Sequence, residues 1–386
     1  MAGVMAFDVA ANLFNVGVTF ASLGSILKTN YNENQQTSVT VVIGNAPASD
    51  GSVAHIALFE EGGGRIGQYK GSRNGHWGDG AQYITIDHDQ NGKKQSVPAY
   101  LHMAMQENDG ICVSGIFASS NGVSWGWTGD IAVGCGGQWY PSTQAVGSSN
   151  NNPRCFVMDK DHSNGVIANG ISLHMRDFST DQDLLDQYNE KSDRLCKNTA
   201  RMTFQDNTTP DTIPKFFTPS LQDGYTHKDD TPGASGGGLK NPDQGIDRKR
   251  AGYPDGAPTT KRKRQLRVEP RSGNRTRVSG LKNNRPGHLV ISEWSGHSAK
   301  EVCDHPNSIG PDFVSMAERT FCDMETGKWW PFCEDEKSGR CFDLDKQVVR
   351  GLPKQLIKRW LTDASSYPIP TKEYVTSDVW PHLNKA

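Results

Sequence analysis

His297, Glu301 and His305 recur at four-residue steps. On a helix that spacing sets them on one face, where zinc takes two or three ligands. Pro306 follows at once and Cys303 lies between them, so the helix is too short to preset ligands, and solvated histidines near a turn are the plainer reading. Asp87-x-Asp89-x-Asn91-Gly92 opens like a calcium loop, with oxygens at alternate positions that could converge on a hard cation. The position that should carry the closing bidentate Glu is Pro98. Asp159-x-Asp161-x-Ser163 is a second partial match. A polar hairpin turn is the plainer reading for each, so no cofactor is predicted, and calcium is the ion these residues would take if they bound one.

Two glycine motifs point to enzymes. Gly122-Val-Ser124-Trp-Gly126 matches the nucleophile elbow G-x-S-x-G, which needs a strand, a sharp turn and a helix. The residues after Gly126 read as turn and strand, so the expectation is a hairpin carrying Trp125 and Trp127. Gly62-Gly-Gly64-Arg-Ile-Gly67 matches G-x-G-x-x-G, but the QYKGSRNGHWGDG that follows cannot be the helix a dinucleotide requires. A glycine-rich turn is expected there. Trp125, Trp127, Trp139, Trp329 and Trp330 are the ligand-binding candidates, because exposed indoles stack on sugar rings; buried ones are core. Trp329 and Trp330 are adjacent, so on a strand they face opposite ways and one should be the more exposed.

The eight cysteines are Cys112, Cys135, Cys155, Cys196, Cys303, Cys322, Cys333 and Cys341. An even count without C-x-x-C favours disulfides over a zinc ribbon, and thus an extracellular protein. Buried reduced thiols are the alternative. The N-terminus lacks the basic start and clean apolar stretch of a signal peptide, since the first basic residue is Lys28. No apolar run is long enough for a transmembrane helix.

Charge is unevenly placed. The formal net charge is −2, yet Lys240 to Arg285 holds fourteen Lys/Arg against four Asp/Glu. Lys249-Arg250 and Lys261-Arg-Lys-Arg264 have the spacing of a bipartite nuclear import signal, which would place the protein in nucleus or cytoplasm. Arg250 and Arg264 also end dibasic pairs that a secretory-pathway protease would cut in exposed chain. Asn207 and Asn274 begin glycosylation sequons in the same stretch. Nucleic acid is an expected partner of nothing beyond this basic stretch, because no recognition helix is evident.

These residues need elements to hold them. Residues 1–30 read as an amphipathic helix, with Val9, Leu13, Val16, Phe20, Leu23 and Leu27 on one face. Residues 31–205 read as a β-sandwich with a C-terminal helix over Thr180–Met202. The strands are Ser38–Ile43, Val53–Phe59, Tyr83–Ile86, Tyr100–Met105, Ile111–Phe117, Ser124–Trp127, Cys155–Met158 and Ile171–Met175, separated by Asn-Gly turns. Residues 206–286 form a disordered basic linker, too poor in apolar groups to offset ordering entropy. Residues 287–350 read as a cysteine-rich β segment packing on the core, its strands too few to bury a core alone. Within it Ser298–Cys303 is a short helix and Phe313–Met324 a strand. Residues 351–386 are a helical or extended tail, with an amphipathic helix at Leu352–Leu361. The fold class is mainly β, sandwich-like, with a few peripheral helices and a long disordered basic insertion.

WTGDIAVGCGGQWYPS (127–142), CFVMDKDHSNGVIANGISLHMRDF (155–178), and VCDHPNSIGPDFVSMAERTFCDMETGKWWPFC with CFDL after it resemble an uncharacterised family of β-rich, cysteine-containing proteins from filamentous ascomycete fungi. The resemblance skips the linker. It implies a single architecture with cysteines at the positions of Cys112, Cys135, Cys155, Cys303, Cys322, Cys333 and Cys341, and it carries no activity. The expectation is a non-enzymatic secreted fungal binding or surface-interaction protein, its partner a glycan or a membrane surface. The alternatives are a membrane-active, pore-forming-like protein using the N-terminal helix, and a carbohydrate-active enzyme with two facing carboxylates.

Overall fold

The computed structural model describes residues 35–92, 96–146, 152–179, 195, 201–205, 282–336, 339–350 and 372–381. The chain divides into two compact units, residues 1–270 and 271–386, with the boundary inside the basic stretch. The amphipathic segment 1–30, most of the Thr180–Met202 helix, the tail helix at Leu352–Leu361, and Cys196, Asn207, Arg250, Arg264 and Asn274 lie outside the described residues.

The first unit is built on two large antiparallel sheets, with Gly51–Ser52 and His76–Trp77 forming a small two-stranded one. Its strands in chain order are Gln36–Ile43 (β1), Gly51–Ser52 (β2), His55–Phe59 (β3), Arg65–Tyr69 (β4), His76–Trp77 (β5), Gly80–Asp87 (β6), Tyr100–Ala104 (β7), Ile111–Ser120 (β8), Val123–Thr128 (β9), Trp139–Tyr140 (β10), Cys155–Met158 (β11), Gly170–His174 (β12) and Met202–Gln205 (β13). One sheet runs β10-β11-β8-β1-β6 with β9 also paired to β8, and the other runs β13-β12-β7-β3-β4. Strand alternation explains the layering: Val39, Val41 and Ile43 of β1 join the large core, while Val42 turns to a small cluster with Phe117 and Val146. That large core also takes Ile56, Leu58, Leu101, Met103, Ile171 and Phe204 from the second sheet, so the apolar faces of both sheets meet in it.

The turns follow their chemistry. Asn121-Gly122 joins β8 to β9 with φ of 52° and 73°, and Asn91-Gly92 and Asn164-Gly165 are left-handed in the same way. At one corner β4 approaches β6 so closely that a Cβ on Gly67 would lie 2.0 Å from the carbonyl oxygen of Asp87. Only glycine permits that approach.

Two expectations are corrected here. After Gly126 the strand continues to Thr128 and then gives way to a short helix, Gly129–Gly134 (α1), where turn and strand were expected. A Cβ on Gly129 would meet the Arg154 carbonyl at 1.9 Å, so the chain turns into the helix where no side chain fits. Met202 begins strand β13, which pairs with β12, and does not end a helix.

The second unit has a mixed sheet. His288–Ser292 (β14) lies between two parallel neighbours, Asp312–Ser315 (β15) and Thr376–Trp380 (β20); Thr320–Asp323 (β16) and Lys328–Pro331 (β17) continue antiparallel from β15. Ala299–Asp304 (α2) makes the crossover from β14 to β15, capped by the Ser298 hydroxyl, which accepts from the Glu301 amide. The expected strand Phe313–Met324 is two strands: Arg319, at φ 50°, sits in the turn between them. Cys341–Asp343 (β18) and Val348–Arg350 (β19) form a hairpin. Leu289, Val314, Phe321, Trp330, Phe332, Phe342 and Val349 pack into one cluster. This unit therefore closes a core of its own, because the β18–β19 hairpin supplies Phe342 and Val349.

Disulfides staple both units. Cys112 bonds Cys155 between β8 and β11, Cys303 bonds Cys322 between α2 and β16, and Cys333 bonds Cys341. Cys135 is disulfide-bonded as well. Among the described cysteines none is free.

Candidate functional site

The tryptophans separate cleanly. Trp127 and Trp139 are 1% exposed, Trp125 3% and Trp330 7%, against 40% for Trp329. Four of the five ligand-binding candidates are therefore core residues. Trp125 and Trp127 share one face of β9 and line an apolar void of about 10 Å³ with Leu101, Ile116, Leu173 and Met175, room for no more than one water-sized sphere. Trp330 stacks on Phe321 at 6.0 Å. Trp139 carries the Arg154 guanidinium 5.3 Å above its ring, and that guanidinium also reaches Asp130 at 2.7 Å. Trp329 stays on the surface, directly across from the disulfide-bonded Cys322, with the Lys300 ammonium 4.9 Å over its ring.

The cation candidates are spread out. Asp87 accepts from the Gln36 side chain at 2.6 Å, and the Asn91 amide nitrogen donates to the Arg65 carbonyl at 2.9 Å, so this loop ties β6 to its neighbours; Asp89 is exposed beside it. Asp159 and Asp161 do come together, around Ser163, whose hydroxyl donates to Asp159 at 2.5 Å and whose amide donates to Asp161 at 2.9 Å. Burial, reinforced by the Asp161 charge, pushes the Asp159 carboxyl above the usual carboxylate range although Ser163 opposes it. Among the described residues no three His, Cys, Asp or Glu side chains converge as a metal cage. His297, Glu301 and His305 do not share a helical face, because α2 begins after His297 and ends before His305. His297 instead meets the Ser292 hydroxyl at 2.8 Å, and His305 accepts from the Asn307 amide at 3.1 Å. Ser124 lies within β9 opposite Ser119, four residues short of the helix, so it is no elbow nucleophile.

The strongest polar constellations are ones the sequence reading missed. In the first unit His174, at the end of β12, meets Asp177 at 2.6 Å through Nδ1 and Glu61 at 2.8 Å through Nε2. Arg176 lies 3.8 Å from Glu61, and Arg201 lies 3.7 Å from Asp177. Burial opposes the imidazolium, but Glu61 and Asp177 outweigh it and raise His174 to about 9. With both ring nitrogens donating to carboxylates, His174 has no lone pair with which to act as a base at neutral pH. It is also wholly buried, as is Asp177, so no substrate reaches the group. On the same face of this sheet, His102 of β7 meets Ser172 of β12 at 2.8 Å and is pushed down to about 4 by burial and by His55.

In the second unit Asp312 and Asp323 stand opposite each other, one step beyond the Phe313–Cys322 pair. The Lys372 ammonium bridges them, 2.8 Å from Asp312 Oδ2 and in contact with Asp323 Oδ1. Tyr374 donates its hydroxyl to Asp312 at 2.8 Å, and burial pushes that phenol far above its ordinary range. A facing pair of carboxylates is thus present, but at 1% and 0% exposure and with a lysine between them it offers no seat for a sugar.

No family model matches the chain, and no curated protein matches it. Among solved structures it is similar to two LOX variants carrying a Delta413-417:GS change, one of them in complex with arachidonate. The TM-scores are 0.20 and 0.19, at 11% identity over 32% of this chain. The chain spans 16% of the length of those LOX chains. Among the described residues no helix is long and apolar enough to cross a membrane.

Proposed function

We propose that this is a non-enzymatic, secreted fungal binding protein whose second unit presents Trp329 to a saccharide ring. The observation that carries the secreted reading is that none of the described cysteines is free, with staples in both units. Such bridges persist where the surroundings are oxidising. The contact surface is argued from rigidity. Trp329 pairs across to Cys322, which is bonded to Cys303, so an exposed indole is held on a fixed frame at small entropic cost. Lys300 beside the ring adds a donor for a hydroxyl or carboxylate of the sugar. The fungal origin rests on the family resemblance of the cysteine-bearing stretches.

Two measurements test it. Thiol titration of the native protein, denatured without reduction, is expected to find no reactive thiol; eight thiols would remove the secreted premise. A glycan array read with the wild type and with Trp329→Ala is expected to show binding that the variant loses. Binding unchanged in the variant would reject Trp329 as the contact.

A further inference from the structure

The buried cluster of the second unit has the parts of a covalent crosslink. Two buried carboxylates, Asp312 and Asp323 at 1% and 0% exposure, face the Lys372 amine, and the exposed Glu325 lies 3.6 Å from it on the solvent side. The Lys372 nitrogen touches Asp323 Oδ1 and lies 2.8 and 3.2 Å from the two oxygens of Asp312. We propose that Lys372 and Asp323 form an intramolecular isopeptide bond, with Asp312 carrying the proton.

Asp323 is set up as the electrophile. Its Oδ1 accepts the amide N–H of Glu325 at 3.0 Å and of Thr326 at 3.3 Å, and its Oδ2 accepts the Thr326 hydroxyl at 2.7 Å. Two backbone donors on one carboxyl oxygen are the arrangement that stabilises the oxyanion of a tetrahedral intermediate. Asp312 is held in place by the Tyr374 hydroxyl at 2.8 Å, the Met324 amide at 2.8 Å and the Asn283 side chain at 3.1 Å. Burial raises its carboxyl above the usual range although Lys372 opposes it, so Asp312 is suited to take a proton.

The chemistry balances without a co-reactant. In the resting pair burial disfavours the Lys372 ammonium, but Asp312 and Asp323 outweigh it and hold the proton on the amine. Proton transfer to Asp312 gives the neutral amine, a minor form that burial favours. Nζ attacks Cγ of Asp323, negative charge collects on Oδ1, and Oδ2 departs as water with the two protons the amine gives up. The Nζ–Cγ bond forms and the Cγ–Oδ2 bond breaks; nothing is oxidised or reduced. The product amide keeps one N–H to donate to Asp312 and removes an ammonium and a carboxylate from the interior. The product amide carries no charge, so the burial that disfavours the Lys372 ammonium no longer acts on it, and the minor reactive form drains towards product. The bond would fix the segment leading into edge strand β20 to the β15–β16 hairpin, 49 residues away in sequence.

Intact mass spectrometry of the full chain after disulfide reduction tests this. The wild type is expected one water lighter than its sequence, with the Lys372 and Asp323 peptides joined after digestion. Lys372→Arg and Asp323→Ala should each restore the full mass, and Asp312→Ala should leave most molecules unlinked. A wild type at full sequence mass overturns the proposal. So does a missing water that persists in Lys372→Arg.

Discussion

The buried histidine of the first unit should make that unit lose stability in mild alkali. His174 is fully buried between Glu61 and Asp177, which raise it from 6.5 to about 9. Each tenfold gain in proton affinity is worth about 1.4 kcal/mol, so the imidazolium contributes about 3 kcal/mol. The sign follows from the direction. A raised histidine stabilises fully below its unfolded value, and the contribution fades as pH climbs through the folded value. The window is therefore between pH 6.5 and about 9. His174→Gln removes that slope. It also leaves Glu61 and Asp177 buried with less compensation, a change that typically costs about 3–5 kcal/mol. Urea unfolding followed by hydrogen exchange on peptides from β7 and β12 reads this unit alone. The wild type should lose about 3 kcal/mol more than the variant between the two ends of the window. Parallel pH dependence in the two proteins would refute the reasoning, because every other titrating group is common to both.

The disulfides should rank by the loop each closes. Sequence separations of 43, 19 and 8 residues for Cys112–Cys155, Cys303–Cys322 and Cys333–Cys341 correspond to about 4, 3 and 2.5 kcal/mol. Paired Cys→Ala variants in chemical denaturation check the order; the shortest loop costing most would contradict it. Trp127→Ala should destabilise its unit by about 3–5 kcal/mol, since the ring is 1% exposed in the main core. Trp329→Ala should stay within about 1 kcal/mol, the scale of its contact with Lys300.

What the sequence discloses is governed by how local its signal is. All eight expected strands of the first unit occur, because each carries a dense β-branched or aromatic run bounded by turn residues. Two of the missed strands, β4 and β20, lack such a run, while β10, β18 and β19 are only two or three residues long. β4 reads RIGQY, with two polar side chains and a glycine required by the close approach to β6. β20 reads TSDVW, mostly exposed at the edge of its sheet, so its residues look like tail. The tryptophans were ambiguous for a related reason: an indole can serve core or contact, and only neighbours distant in sequence decide. Trp329 and Trp330 were the exception, since strand alternation alone requires one of them to face out.

The missed charge clusters follow the same logic at longer range. His174-x-x-Asp177 was the sole local half of its group; Glu61 comes from the β3–β4 turn, 113 residues earlier. Lys372 reaches back 60 residues to Asp312. No spacing rule spans such gaps, because the register of the strands sets the distance. Yet the placement has a reason. Glu61 sits where β4, the edge of its sheet, turns back from β3, and Lys372 sits just before the edge strand β20. Edge strands form hydrogen bonds on one side only and fray first. Each buried cluster anchors chain next to such an edge to a more central strand, where a weak apolar pattern could not. β4 and β20, whose sequences carry little apolar signal, are thus each flanked by a fastening that comes from elsewhere in the chain.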